Sequence, residues 1–304
     1  MDHIQTELLD IAFESGGPRD GRPVLLLHGW PDDATGWRGV APLLEQKGYR
    51  WVAPWLRGFG PTRFLADQSP RDGTGVAIAR DALDLMDALG WNRCAVCGHD
   101  WGGRAAYILA ALAPERVSSI TSLAIGYAPR GRFATPSFEQ SRRWWYQWFM
   151  TTDAGAAAVR DDPERFARIQ WDTWGPTDWF DDAVFAAVAG SFRNPDWVAI
   201  TLHGYRSRWK PEELDPRYTS LRDVVDATDL LQVPTLMIQG GADRCDPPGE
   251  SEGQARSFAN GYQRVVLDGV GHFPAREAPQ AVADSIIAFL DSPGVETQRN
   301  ARAR

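Results

Sequence analysis

The 304-residue sequence lacks the features that mark secreted, membrane-spanning and nucleic-acid-binding proteins. No N-terminal segment has the pattern of a signal peptide, and no run reaches the roughly 18 apolar residues of a membrane span. Acidic residues outnumber basic ones, and a formal net charge of −8 argues against nucleic acid or an anionic membrane as a partner. We therefore expect a soluble, cytoplasmic protein that acts on a small, hydrophobic, uncharged molecule.

Cysteine is also scarce, with three residues in the chain. An odd number of cysteines fits reduced thiols better than a disulfide framework. Cys94 and Cys97 form a CxxC pattern, but residues three apart on a strand point to opposite faces. No second Cys or His pair completes a metal site. We expect no metal, no redox centre and no cofactor.

Apolar residues are plentiful, at 43% of the chain, which is enough for one large core. Short apolar runs alternate with helical patterns, and this alternation predicts an α/β protein with a doubly wound, mostly parallel sheet. The predicted strands cover residues 6–14, 23–27, 50–54, 93–97, 120–125, 234–239 and 263–267. The predicted helices cover residues 40–47, 75–89, 104–113 and 279–290.

The alternation stops between residues 129 and 221, where eight of the 14 Trp residues fall. We expect helices there and no strand, so this stretch is predicted to be a helical lid inserted into the α/β core. So dense a group of Trp favours large core side chains, with some of them in a cavity wall. The predicted α/β core covers residues 1–128 and 222–292, the predicted lid covers residues 129–221, and a polar tail covers residues 293–304. Within the lid, helices are predicted near residues 139–150, 163–173 and 181–189.

The segment from Val96 to Gly103, VCGHDWGG, links a predicted strand to a predicted helix. Gly98 and Gly102 lie two residues either side of Asp100, which is the pattern of a nucleophile elbow. A carboxylate at the centre of such a turn can attack an electrophilic sp³ carbon and form an ester that water then cleaves. The simpler interpretation is a tight turn in which Asp100 caps the helix.

Cleavage of an ester on Asp100 requires a water molecule activated by a histidine, which in turn is oriented by an acid. Asp243 follows a predicted strand that ends in glycine, and His272 lies in a loop before the last helix. The order nucleophile, acid, histidine is typical of the α/β-hydrolase fold. Asp246 and Asp268 are alternative candidates for the acid.

On these motifs the chain resembles the Asp-nucleophile branch of the α/β-hydrolase fold, which includes epoxide hydrolases, haloalkane dehalogenases and fluoroacetate dehalogenases. The resemblance extends from about residue 10 to residue 290. The segment after the second predicted strand resembles the HGxP oxyanion motif of this family, and its residues are His28, Gly29, Trp30 and Pro31. The resemblance implies that backbone N–H groups of Trp30 and Trp101 hold the oxyanion.

Two tyrosines in the predicted lid favour one member of this branch. Tyr146, in WYQWF, and Tyr205, in HGYR, resemble the two lid tyrosines of epoxide hydrolases. A phenol hydroxyl can protonate the oxygen of an opening epoxide. The resemblance therefore implies an epoxide hydrolase that uses water to produce a vicinal diol.

Other functions remain open. Haloalkane dehalogenases also carry a Trp at the position of Trp101, where its indole holds the halide, but they often have Asn in place of Trp30. Fluoroacetate dehalogenases usually have Arg after the nucleophile. A ligand-binding protein without turnover would not need Asp100, an acid and a histidine, and the absence of a GxSxG motif argues against a Ser esterase. Trp55 stands where the family commonly has Asp. A homodimer is a further open expectation.

Overall fold

The computed structural model describes residues 1–133, 135–210, 214–293 and 295. In these residues a sheet of nine strands runs in the order β1-β2-β4-β3-β6-β7-β8-β9, with β5 paired to β2. The strands are β1 (Asp2–Gln5), β2 (Leu9–Gly16), β3 (Arg22–Leu27), β4 (Tyr49–Pro54), β5 (Arg63–Phe64), β6 (Cys94–His99), β7 (Val117–Leu123), β8 (Thr235–Gly240) and β9 (Tyr262–Leu267). All neighbours from β4 to β9 are parallel, whereas β2 is antiparallel to β1, β4 and β5.

Helices lie between and after these strands in the described residues. They are α1 (Ala41–Gln46), α2 (Gly75–Ala88), α3 (Trp101–Leu112), α4 (Phe138–Arg143), α5 (Trp145–Met150), α6 (Asp153–Asp161), α7 (Pro163–Trp174), α8 (Asp182–Phe192), α9 (Trp197–Trp209), α10 (Thr219–Ala227), α11 (Pro274–Glu277) and α12 (Pro279–Leu290). Two helix pairs pack on the sheet, α1 with α12 and α2 with α3. The predicted α/β class with a mostly parallel sheet is confirmed.

The sheet is buried where its strands lead to the predicted site. Every residue of β6 and of β8 is buried, as expected for central parallel strands covered on both faces. Because β6 and β8 are parallel members of one sheet, their carboxyl ends lie on the same edge. The residues that follow them, Asp100 and Asp243, are therefore brought to one side of the molecule.

Several elements differ from the sequence prediction. The predicted strand 6–14 begins in a turn, where the Thr6 backbone N–H donates to the Leu9 carbonyl at 2.8 Å, and its strand part is β2; β1 precedes the predicted range and pairs with β2 as a hairpin. The predicted helix 139–150 is divided into α4 and α5 at Trp144, whose ψ of 20° departs from helical geometry.

The predicted lid region between β7 and β8 is helical. Helices α4 to α9 lie within residues 129–221, and no strand occurs in the described part of this range. The predicted boundary at residue 221 falls inside α10, which packs on α3. Of the predicted tail, only residues 293 and 295 are described, and no described helix is long and apolar enough to cross a membrane.

Trp55, which has no explanation in the sequence, joins two parts of the structure. Its indole N–H donates to Asp33 Oδ2 at 3.3 Å, and the same oxygen accepts from the Ser191 hydroxyl of α8 at 2.5 Å. The indole also lies against Gly60, where an added Cβ would be 2.3 Å from a ring carbon. Trp55 therefore connects the loop after β4 with the loop after β3, and through Asp33 with α8.

A buried ion pair holds the same loop. The Arg57 guanidinium donates to both carboxylate oxygens of Asp81 on α2, each at 2.6 Å. It also donates to the Asp72 carbonyl at 2.7 Å and to the Tyr218 hydroxyl at 3.0 Å. Because Tyr218 precedes α10, this one cation joins the loop, α2 and the segment that returns to the core.

We predict that Arg57→Met lowers the free energy of unfolding by ~3–5 kcal/mol, because it leaves the Asp81 carboxylate buried without its cation. Urea denaturation measures the loss. The control is Arg38→Met, which removes a pair with Glu14 in which the Arg38 side chain is 62% exposed. That variant should cost less than about 1 kcal/mol. Equal losses of unfolding free energy in the two variants would contradict this prediction, because the buried Arg57 pair would then stabilise the fold no more than the exposed Arg38 pair.

Candidate active site

Asp100 lies at a strained turn between β6 and α3. Its φ of 48° and ψ of −110° are rare for a residue with a side chain. Added Cβ atoms at Gly98 and Gly102 would lie 2.1 Å and 2.3 Å from carbonyl oxygens, so these positions require glycine. Asp100 precedes α3 but makes no side-chain capping hydrogen bond to it. The geometry is that of an elbow and does not support the helix-capping interpretation.

The three predicted residues of the triad lie together. His272 Nδ1 donates to Asp243 Oδ2 at 2.8 Å, and both side chains are fully buried. On the other side of the ring, His272 Nε2 lies 3.8 Å from Asp100 Oδ2. This buried nitrogen has no hydrogen-bond partner in the described residues. It is therefore free to bind a water molecule beside Asp100.

Asp243 is oriented by the loop that follows β8. Its Oδ1 accepts the backbone N–H groups of Cys245 at 2.8 Å and Asp246 at 2.9 Å. Gln239 Nε2 donates to Oδ2 at 3.3 Å. Of the two alternative acids, Asp268 is exposed, and Asp246 is buried and makes no hydrogen bond to His272. The geometry therefore favours Asp243 as the acid.

The electrostatics keep Asp100 ionised. Burial alone would raise the pKa of Asp100, but the imidazole of His272 and the Trp30 N–H outweigh it and lower the pKa to about 2. Burial would likewise lower the pKa of His272, yet the carboxylates of Asp243 and Asp100 raise it well above its usual value. Burial and the charge of Asp243 raise the pKa of Asp246 to about 7. An ionised Asp100 carboxylate therefore faces an imidazole that holds its proton more strongly than a free histidine does.

The HGWP segment approaches Asp100 closely. An added Cβ at Gly29 would lie 2.5 Å from the Asp100 Cβ, so only glycine fits there. The Trp30 backbone N–H donates to Asp100 Oδ1 at 2.8 Å. Trp101 is the first residue of α3, so its backbone N–H has no acceptor within that helix. Trp30 thus lies where a donor could hold one oxygen of the Asp100 carboxyl group.

Hydrogen bonds on either side fix this segment. His28 Nδ1 donates to the Gly29 carbonyl at 2.9 Å, and His28 Nε2 accepts the Leu56 N–H at 3.0 Å. Burial lowers the pKa of His28, which is consistent with this neutral tautomer. The Pro31 carbonyl accepts the indole N–H of Trp171, on α7, at 2.7 Å. His28 and Pro31 therefore fix the segment from either side through these hydrogen bonds.

Tyr146 and Tyr205 come together from α5 and α9. Their rings are 5.3 Å apart and nearly perpendicular, and the two residues are 3% and 1% exposed. Gln147 Nε2 donates to the Tyr146 hydroxyl at 3.0 Å. Burial raises the pKa of both phenols well above the usual value, and for Tyr205 the charge of Asp100 adds to this effect. Both hydroxyls therefore remain protonated and can donate hydrogen bonds.

Aromatic rings enclose the site. Trp30 and Trp101 lie 4.9 Å and 5.3 Å from the ring of Tyr205, and Trp174 of α7 lies 4.8 Å from His272. The Trp30 indole donates to the Thr201 hydroxyl at 3.0 Å, whereas the buried Trp101 indole N–H has no hydrogen bond in the described residues. A substrate here would be surrounded by apolar faces with few fixed donors.

Two cavities lie beside the site. One of about 440 Å³ reaches Trp101, and one of about 360 Å³ reaches Asp246. Arg104 of α3 and Phe133 line both cavities. The linings include Trp101 or Asp246, but Asp100, His272, Tyr146 and Tyr205 are not among the lining residues of either cavity.

Sequence reasoning missed several of these residues. Gln239 had a signal, since it is a polar residue at the end of the apolar run from Leu236 to Ile238. Trp174 belonged to the lid cluster of Trp residues but could not be assigned to the site. Arg104 resembles an ordinary helix surface residue in the sequence, and only the tertiary structure shows that it lines a cavity.

One group of side chains has the composition of a metal site. Cys245, Asp246 and His272 present potential ligand atoms within 4.8 Å of one another. However, His272 Nδ1 is already bound to Asp243, and burial raises the pKa of the Cys245 thiol well above its usual value. Because a metal binds the thiolate form, this cluster is poorly suited to a metal ion.

With this geometry established, comparison with known proteins identifies the family. The sequence matches the model of the α/β hydrolase fold over residues 22–279. The chain belongs to the α/β-hydrolase fold family. The resemblance inferred from the elbow, the acid and the histidine is confirmed at this level.

Individual relatives of this α/β hydrolase carry different names. Epoxide hydrolase A of Mycobacterium tuberculosis (strain ATCC 25618 / H37Rv) is 26% identical over 315 residues, covering 92% of this chain and 93% of that protein. A provisionally named epoxide hydrolase from Klebsiella pneumoniae subsp. pneumoniae MGH 78578 is 38% identical, with a TM-score of 0.89 over 95% of this chain and 96% of that chain. A provisionally named acyltransferase from Salmonella enterica is 26% identical, with a TM-score of 0.82 over 95% and 94%. The fold alone therefore does not determine the reaction.

We predict that Asp100→Asn lowers the pKa of His272, because the substitution removes one of the two carboxylates that raise it. An NMR titration of the imidazole nitrogens measures the change, and the neutral fraction of His272 near pH 7 should increase. His28 is an internal control, since burial sets its pKa and Asp100 does not contribute. An unchanged titration of His272 would contradict the electrostatic coupling of this pair.

Proposed function

We propose that this α/β hydrolase is an epoxide hydrolase that converts an epoxide to a vicinal diol through an ester on Asp100. The observation that carries the proposal is the Asp100 carboxylate, held by the Trp30 N–H and facing His272, in one enclosed aromatic site with the phenols of Tyr146 and Tyr205. Opening an epoxide requires a nucleophile at carbon and an acid at oxygen, and these side chains supply both. The relatives named epoxide hydrolase support the same reaction.

The first step is attack by Asp100 on an epoxide carbon. Asp100 Oδ1 accepts the Trp30 N–H, whereas Oδ2 accepts no hydrogen bond within 3.5 Å in the described residues. We assign the attack to Oδ2, because its lone pairs are not engaged by a donor. The new C–Oδ2 bond forms as the carbon–oxygen bond of the ring breaks, and Tyr146 or Tyr205 gives its proton to the released oxygen.

The second step is hydrolysis of the ester. His272 first gives its proton to the tyrosinate. Its neutral Nε2 then takes a proton from water, and the hydroxide attacks the carboxyl carbon of Asp100. The Trp30 N–H, already 2.8 Å from Oδ1, stabilises the negative charge that develops there. The bond between that carbon and Oδ2 then breaks, and the His272 imidazolium protonates Oδ2, which leaves as a hydroxyl of the diol. The new carboxyl group gives its proton to His272, which restores the starting charges. Residues 129–221 act as the lid that supplies both tyrosines.

The site is less suited to a haloalkane dehalogenase. A departing halide needs N–H donors and no proton. The Trp30 indole N–H already donates to the Thr201 hydroxyl. The Trp101 indole N–H, beside Asp100, has no acceptor in the described residues, so it is the indole donor that a halide could use. Two phenols at the site would have no function in halide displacement.

We predict that Tyr146→Phe and Tyr205→Phe each slow epoxide opening by ~10²-fold, because each removes a positioned acid. Single-turnover measurement of styrene oxide consumption isolates this step, and the double variant should be nearly inactive. Tyr107→Phe is the matched control, since it removes a buried hydroxyl bound to the Ile125 carbonyl outside the site. Wild-type release of bromide from bromoalkanes, with no consumption of styrene oxide, would favour the dehalogenase instead.

A further inference from the structure

The hydroxyl of Tyr146 receives a hydrogen bond whose direction is fixed by a third side chain. Gln147 Nε2 donates to the Tyr146 hydroxyl at 3.0 Å, and the Trp209 indole N–H donates to Gln147 Oε1 at 2.9 Å. Because an indole N–H can only donate, Gln147 must present its oxygen to Trp209 and its NH₂ group to Tyr146. The two hydrogen bonds therefore end in a donor directed at the Tyr146 oxygen.

This amide lies where a hydrogen bond to a charge is strong. Gln147 is 2% exposed, and the neighbouring Tyr146 is also buried. Trp209 follows Tyr205 by four residues on α9, which is one turn of the helix. The helix that supplies one lid tyrosine thus also anchors the amide beside the other. Away from water, a fixed N–H group stabilises a negative charge more than it does in solvent.

The proton of Tyr146 has no strong acceptor in the described residues. The hydroxyl lies 3.8 Å from Cys245 Sγ, and sulfur is a weak hydrogen-bond acceptor. The hydroxyl oxygen accepts from Gln147, so the O–H bond is directed away from that amide. This proton is therefore available to the oxygen of an epoxide.

We propose that Gln147, held by Trp209, stabilises the tyrosinate form of Tyr146, so that Tyr146 is the lid phenol that protonates the released epoxide oxygen. Gln147 acts through Tyr146, and Trp209 acts through Gln147, so both are positioning residues. This inference rests on the proposed epoxide hydrolase activity, in which Tyr146 and Tyr205 are both candidates for the acid.

Proton transfer from Tyr146 moves a negative charge to the place that the amide faces. Asp100 Oδ2 forms a bond to an epoxide carbon, the ring C–O bond breaks, and the released oxygen takes the Tyr146 proton. The charge that leaves the Asp100 carboxylate then resides on the Tyr146 oxygen until His272 returns a proton. The Gln147 N–H is already in place beside that oxygen, so it stabilises the developing charge without reorganisation.

The test is a double-mutant cycle on the rate of styrene oxide consumption in a single turnover. Gln147→Met removes the donor and should slow this step by about tenfold. The substrate concentration at half-maximal rate should stay within about twofold. In Tyr205→Phe enzyme, which retains Tyr146, the same substitution should again cost about tenfold. In Tyr146→Phe enzyme, which has no hydroxyl to stabilise, it should change the rate less than about twofold.

A second variant tests the anchor without changing Gln147. Trp209→Phe frees the amide to rotate and should slow the step by about threefold, again only in enzyme that retains Tyr146. The control is Trp51→Phe, which removes an indole donor bound to Glu45 outside the lid and should leave the rate unchanged.

Equal losses from Gln147→Met in the Tyr146→Phe and Tyr205→Phe enzymes would overturn the inference, because the amide would then support the fold and not Tyr146. An unchanged rate for Gln147→Met in otherwise wild-type enzyme would overturn it as well. Trp209→Phe supplies the same cycle if Gln147→Met does not fold.

A spectroscopic measurement separates this inference from the reaction. With 3,5-difluorotyrosine incorporated at position 146, the ¹⁹F resonance reports the pKa of that phenol without substrate. Gln147→Met should raise this pKa by about one pH unit, because it removes a donor to the ionised form, and Trp51→Phe should not change it. An unchanged pKa with Gln147→Met would overturn the inference. A raised pKa in an enzyme that consumes no epoxide would retain the stabilising hydrogen bond and overturn the proposed reaction.

Discussion

The close approach of three backbone segments around Asp100 is the constraint on which the site depends. Gly29, Gly98 and Gly102 have no room for a side chain, and the strained backbone of Asp100 is held between them. Such strain costs ~1–3 kcal/mol and persists only where the surrounding structure imposes it. Here the buried strands β3 and β6 impose it, and the carboxylate is directed towards Trp30 and His272.

The charges around this carboxylate are balanced within a buried space. His272 lies between Asp100 and Asp243, so each carboxylate stabilises the protonated imidazole and is stabilised by it. Formation of the ester removes the charge of Asp100 and with it part of the force that keeps His272 protonated. The histidine therefore becomes a better proton acceptor at the stage when water has to be activated. One electrostatic coupling thus serves both proposed steps.

The positions of the proposed catalytic residues were predictable because these residues follow strands in one sheet. Asp100 directly follows an apolar, strand-forming run and Asp243 lies three residues after another, and parallel strands end on the same edge. His272 follows the last strand by a few residues, so the topology brings it to the same place. The distance of 2.8 Å from His272 to Asp243 and the unpaired His272 Nε2 depend on side-chain packing that no periodic pattern encodes.

The lid was harder to predict for a physical reason. Helix α9 buries both Ile200 and Leu202, which are two residues apart and therefore on nearly opposite sides, so it lacks the single apolar stripe that reveals a helix in a sequence. The break at Trp144 has no Gly or Pro to mark it. The position of Arg104 over the ring of Phe133 depends on tertiary packing, because the two residues are distant in sequence. The tyrosines were found through family resemblance, since their spacing in the chain does not predict that they meet.

The most direct test of the account is a single turnover of excess wild-type enzyme on styrene oxide in ¹⁸O-labelled water. If Asp100 forms an ester, the oxygen added to the first diol comes from the unlabelled carboxylate. Mass spectrometry of the peptide that contains Asp100 should then show ¹⁸O in the enzyme, with little in the first diol. Label that appears chiefly in the first diol, with an unlabelled Asp100 peptide, would contradict the account, because water would have attacked the epoxide directly.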